Sequence, residues 1–176
     1  MDTTVAPPRL TGLNQGSRAA FVALLGGIFE HSPWVAEQAW PRRPFASVDA
    51  LHRAMLDIVL GSGAAAQLAL LRAHPQLAGA EAQAGALTAA SEHEQAGAGL
   101  KALRRDELER ITALNAAYEA KHGFPFIVCV RHYTKAGIFH ELQRRLDLDT
   151  SREREEALAQ VAAITRLRLQ TLFPDD

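Results

Sequence analysis

Cysteine is nearly absent from this chain of 176 residues, and its single thiol, Cys129, excludes an internal disulfide and any multi-cysteine zinc site. One cysteine also suits a reducing compartment. Lysine is almost as scarce: 3 of the 19 basic residues are lysines and the other 16 are arginines, so groups for Schiff bases or for holding pyridoxal phosphate are few. Charge excess is missing too. The net charge is −1, whereas a general nucleic-acid binder needs a basic surplus to neutralise phosphates. No stretch approaches the roughly 18 uninterrupted apolar residues of a membrane span. Valine and isoleucine together number only 14, against 33 alanines and 23 leucines. Alanine and leucine are strong helix formers and β-branched residues favour strands, so the expected fold class is all-α.

The length suits one domain with a sizeable core. Residues 1–16 read as an N-terminal arm, and 17–176 as a single helical bundle of about seven to nine helices. No signal peptide is legible at the start and no peroxisomal signal in Pro174-Asp175-Asp176, which makes the cytoplasm the expected location. Ser17 is placed to cap a helix over about 18–30, and Ser32-Pro33 to open a short one through Trp40. Ser47 caps 48–60, which Gly61 and Gly63 end. A helix over 64–73 runs into His74-Pro75, where proline disfavours helix at the preceding residue. Residues 76–90, rich in glycine and alanine, read as a loop. Ser91-Glu92-His93-Glu94 fits a capping box, as do Asp106 and Glu109 ahead of a helix over 107–121 that Gly123 terminates. Residues 124–130 (FPFIVCV) form the one strongly apolar, β-prone run, although Pro125 argues against a central strand. Thr134 caps 135–146, and the last helix covers about 151–173.

Seven histidines raise the question of a metal, but no HExxH and no i, i+4 histidine pair on one helix is present, so no metal site is assigned. Neither a glycine-rich phosphate loop nor a GxSxG elbow occurs. Cys129 lies in an apolar run, where a free cysteine usually acts as a small hydrophobe. His74 stands at a forced helix end beside irregular structure, the kind of place that carries function; it could equally complete the helix C-terminus through charge and dipole. Glu94 has a structural explanation as the glutamate of a capping box. Arg168 is singled out by helical-wheel arithmetic. At about 100° per residue Leu158, Val161, Ile164, Leu169 and Leu172 share one arc. Arg168 falls inside it, while Arg152, Arg154 and Arg166 fall outside. A guanidinium aimed at a core must meet an internal carboxylate or an anionic ligand, or snorkel out. The run 124–130 offers backbone N–H and C=O groups that must find partners, in protein or in a planar, amide-rich substrate.

At these segments the chain resembles the OHCU decarboxylases, which act on 2-oxo-4-hydroxy-4-carboxy-5-ureidoimidazoline in the uric acid pathway. The resemblance rests on LGGIFEHSPWVAEQAW (25–40), RPFAS (43–47), AHPQLAG (73–79), LTAASEHEQAGAGL (87–100), LNAAYEAKHGFPFIVCVR (114–131) and ITRLRLQTL (164–172), in the family's order from about residue 18 to 172. It implies an all-helical fold, usually a homodimer, and a cofactor-free decarboxylation of a small anionic substrate to (S)-allantoin, with neither nucleic acid nor membrane as partner. It further implies that His74, Glu94 and Arg168 are catalytic. Pro75, Ser91, Gln95 and the backbone of Phe124, Phe126, Ile127, Val128, Cys129 and Val130 would bind substrate. Gln76 departs from the acidic residue expected in many relatives. Two other readings remain open at this point: a non-catalytic helical binding protein, and a decarboxylase of a related ureido or imidazoline acid.

Overall fold

Side-chain oxygens set where the helices of the computed structural model begin, and the model describes residues 8–176. Ser17 Oγ accepts from Ala20 N at 3.2 Å and opens α2 (Arg18–Leu25); Ser47 Oγ accepts from Ala50 N at 3.1 Å and opens α4 (Val48–Gly61). Thr134 Oγ1 accepts from Gly137 N at 3.1 Å and opens α9 (Lys135–Leu146). Each oxygen satisfies one of the N–H groups that a helix start leaves without an intrahelical partner. The remaining α-helices are α1 (Leu10–Gln15), α3 (Trp34–Ala39), α5 (Ala64–Arg72), α6 (Ala80–Gln83), α7 (Ala89–Gly97), α8 (Arg105–His122) and α10 (Thr150–Leu172). Among the described residues there is no strand, and the fold is all-α. Among the described residues no single helix is long and apolar enough to cross a membrane.

The chain divides into two compact units. One takes the chain up to Leu70 together with Ile164–Asp176, and the other is Leu71–Ala163. In the first, α3 packs on α2 and α4. Its buried apolar side chains include Phe21, Leu25, Phe29, Val35, Leu51, Met55 and Leu169. Asn14 clasps residue 45 from both sides of its peptide, accepting from Phe45 N at 2.9 Å and donating to Phe45 O at 2.8 Å. In the second unit α8 packs on α9, and Ile111, Tyr118, Ile138, Leu142 and Val161 are fully buried.

Several boundaries differ from expectation. The arm read over 1–16 contains α1, and its residues 1–7 lie outside the described part. The helix begun by Ser17 stops at Leu25, and the chain turns before Ser32. The loop read over 76–90 holds the single turn of α6. α7 begins at Ala89, because Thr88 is its N-cap and accepts from Ser91 N at 3.3 Å. Ser91 therefore sits inside the first turn and Glu94 is not the glutamate of a capping box. α8 starts at Arg105, two residues earlier than the Asp106–Glu109 box would place it, with Arg104 N donating to Glu107 Oε2 at 2.8 Å. Gly123 ends α8 at φ +78°, a left-handed conformation that glycine adopts without a Cβ penalty.

Candidate active site

His74 occupies the last turn after α5, its N–H donating to Leu71 O at 3.2 Å and its side chain 8% exposed. Pro75 blocks continuation of the helix, and the chain enters a loop whose peptide groups are bound by side chains from three helices. Gln95 Oε1 on α7 accepts from Ala78 N at 2.9 Å, and its amide donates to Gln76 O at 3.5 Å. Asn115 Nδ2 on α8 donates to Leu77 O at 2.9 Å; Gln83 Nε2 on α6 donates to Ala78 O at 3.1 Å. These ties hold Ala78 at φ +50°, a left-handed conformation uncommon for a residue with a Cβ. Gly79 follows where no larger residue fits, since a Cβ there would lie 2.7 Å from Gln76 Cβ. Gln76 donates from its amide to Glu119. Where many relatives are expected to carry an acid, this chain places a donor against a carboxylate.

A cleft of about 280 Å³ opens beside this loop, bordered by Arg72, His74, Pro75, Gln76, Glu119 and Pro125. Arg72 Nε donates to Gly123 O at 2.8 Å, which fastens the end of α5 to the end of α8.

The apolar run Phe124–Val130 is buried throughout, yet it is neither helix nor strand until the short 3-10 turn at Val130. Side chains hold its backbone instead of a neighbouring strand. Arg145 Nη1 donates to Ile127 O at 2.7 Å, and Cys129 N donates to Gln160 Oε1 at 2.9 Å. The turn that ends the strap packs against α7, which carries Ser91, Glu94 and Gln95. Ser91 and Gln95 are buried, and Glu94 is partly exposed. Burial pushes the Cys129 thiol up, and the charge of Glu94 adds to that shift, so the carboxylate and the thiol are electrostatic neighbours.

Under the strap lies a buried ionic cluster. Arg145 and Glu153 are both fully buried; Arg145 Nε lies 3.0 Å from each Glu153 oxygen, and its Nη2 and the Tyr118 hydroxyl also donate to Glu153. The Arg145 guanidinium stands 4.7 Å from the centre of the Phe126 ring. Burial works against its charge, but the hydrogen bonds and charge of Glu153 outweigh burial and keep it protonated. Burial also raises the Tyr118 phenol far above the ordinary range, reinforced by Glu153.

Arg168 belongs to the other unit. Its Nη1 lies 2.8 Å from Glu30 Oε2 and 3.3 Å from Ile28 O; Glu30 is 1% exposed and the Arg168 side chain 8%. Of the partners open at the outset, an internal carboxylate is therefore present. Glu30, Asn115, Arg145, Glu153 and Gln160 were not singled out from the sequence, and Cys129 is placed as a buried apolar side chain.

The family model described as OHCU decarboxylase matches residues 14–170. A 2-oxo-4-hydroxy-4-carboxy-5-ureidoimidazoline decarboxylase of Haloferax volcanii is 41% identical over 167 residues, covering 95% of this chain and 97% of its own. A uric acid degradation bifunctional protein of Bacillus sp. (strain TB-90) is 40% identical over 165 residues; the match takes 94% of this chain but only 32% of the Bacillus protein. Among solved structures, an (S)-allantoin synthase superposes with a TM-score of 0.73 at 31% identity, covering 94% of this chain and 54% of that one. The chain thus spans about a third and about half of those two longer relatives. A match along nearly the whole chain, in sequence and in helical fold, supports one conclusion: the chain belongs to the OHCU decarboxylase family.

Proposed function

We propose that this chain decarboxylates 2-oxo-4-hydroxy-4-carboxy-5-ureidoimidazoline to (S)-allantoin without a cofactor, the activity carried by the names of its relatives. Breaking the bond to the carboxylate releases CO₂ and leaves an electron pair on the ring carbon. That pair moves into the bond toward the neighbouring ureido-bearing C=N carbon, whose nitrogen takes up the charge and a proton. The hydroxyl then gives up its proton to become the ring carbonyl, and a proton reaches one face of the ureido-bearing carbon, the stereocentre of allantoin. His74 moves the proton, Glu94 orients His74 or the substrate hydroxyl, and Arg168 binds the anionic portion through charge-assisted hydrogen bonds. Pro75, Ser91, Gln95 and the backbone of 124–130 hold the ring and ureido amides. The three lysines take no part: Lys101 and Lys135 are ion-paired to Glu92 and Glu107, and Lys121 binds Leu146 O.

The observation that supports this reading most is the fixed His74-Pro75 turn. A histidine that delivers a proton to one face of a substrate must be held in place, and the following loop is tied by Gln95, Asn115 and Gln83. We further propose that residues 17–176 work as one functional domain, and that the protein acts as a homodimer in the cytoplasm; family resemblance supports the dimer. The experiment generates the substrate from urate with the preceding enzymes and follows the allantoin formed. His74→Ala is expected to lose about 10²–10⁴-fold in kcat, the range of positioned proton transfer. Near-normal turnover would remove His74 from the mechanism.

A further inference from the structure

We infer that Gln160, on α10, is a positioning residue for the reaction. It acts through the Cys129 peptide to hold the strap 124–130 in register for substrate. The inference rests on the proposed function. Among the described residues the strap has no partner strand, so its geometry depends on individual ties. Two of these fall on alternate residues, Ile127 O held by Arg145 and Cys129 N held by Gln160. The two ties flank Val128 on the chain, so the backbone at that residue is set from both sides by side chains, and a planar, amide-bearing substrate would meet it there. The two ties differ in character. Arg145 is locked to Glu153 in the core and fixes the middle of the strap as part of the fold. Gln160 is a half-buried neutral side chain that contributes one acceptor oxygen, at the residue electrostatically adjacent to Glu94. Losing that acceptor frees the Cys129 end of the strap, beside the proposed catalytic carboxylate, while the ionic cluster stays whole.

The test uses Gln160→Leu, which keeps the size and removes the acceptor, Gln160→Ala as a second removal, and Gln160→Glu, which retains an acceptor oxygen. Cys129, the chain's one cysteine, reports on the strap without substrate through its rate of alkylation by iodoacetamide. Gln160→Leu and Gln160→Ala should each raise that rate and raise KM by about three- to tenfold, the range of one hydrogen bond, with a smaller change in kcat and little change in Tm. Gln160→Glu should restore both values. Unchanged alkylation or unchanged KM in the removal variants, or failure of Gln160→Glu to rescue, overturns the positioning role. A wild-type protein that does not act on the substrate overturns the functional reading and the role with it. An active wild type with unaltered removal variants overturns the role alone.

Discussion

Each unit pairs an arginine with a buried carboxylate, and the two pairs are built differently. In the Leu71–Ala163 unit Arg145 is fully enclosed: Glu153, the Ile127 carbonyl and the face of Phe126 surround its guanidinium. In the other unit Arg168 meets Glu30 and the Ile28 carbonyl through Nη1 and keeps 8% of its side-chain surface. Removing a charge from water is expensive in both places, and a partner must compensate. The closed arrangement suits a residue whose work is to hold backbone. The more open arrangement is compatible with the anion-binding role proposed for Arg168.

The largest effect should come from opening the enclosed pair. Arg145→Ala leaves Glu153 buried without its cation and should destabilise the protein by about 3–5 kcal/mol in denaturant unfolding. The double variant Arg145→Met with Glu153→Met should recover most of that loss, because well-packed apolar residues often replace a buried pair at little cost. Continued instability of the double variant would mean that the hold on Ile127, and not the uncompensated charge, dominates. Arg168→Lys keeps a positive charge beside Glu30 but loses the planar fork, and should raise KM by about tenfold with little change in Tm. A large fall in Tm with unchanged KM would make the two arginines equivalent and break the contrast.

The smallest effect concerns pH. His122 is buried, its ring 4.6 Å from that of Tyr118 and its Nδ1 3.1 Å from Thr150 Oγ1, while its Nε2 has no hydrogen-bond partner among the described residues. Burial lowers its pKa from the usual histidine value; Glu153 pulls the other way, and Lys121 adds to the lowering. The unfolded chain therefore takes up the proton first. Stability is full above pH about 6.5 and declines as pH falls from there toward the lowered native value. His122→Phe should flatten that part of the stability profile. An unchanged slope would assign acid sensitivity to other groups.

Much of the helical frame was legible because its signals are local. Ser17, Ser47 and Thr134 cap the helices expected of them, and Gly123 ends α8. The start of α7 was misplaced because Thr88 and Ser91 lie three residues apart and both suit a cap; the choice of Thr88 shifts Glu94 out of the capping box. Arg168 was found by helical-wheel arithmetic, and the same arithmetic applied to α9 finds Arg145, which follows Ile138 by seven residues and Leu142 by three. Its partner Glu153 lies on another helix, and Gln160 and Asn115 act on loops far away in sequence. Such ties leave no periodic trace, so no local pattern could have announced them. The strap 124–130 was legible as buried and unsuited to a central strand, but the side chains that hold its backbone were not.

The most direct test of the account is the handedness of the product. Freshly generated 2-oxo-4-hydroxy-4-carboxy-5-ureidoimidazoline is mixed with the protein, and circular dichroism follows the allantoin as it forms. The account predicts rapid appearance of the (S) enantiomer, with the acceleration lost in His74→Ala. Racemic allantoin forming at the rate seen without protein would contradict it.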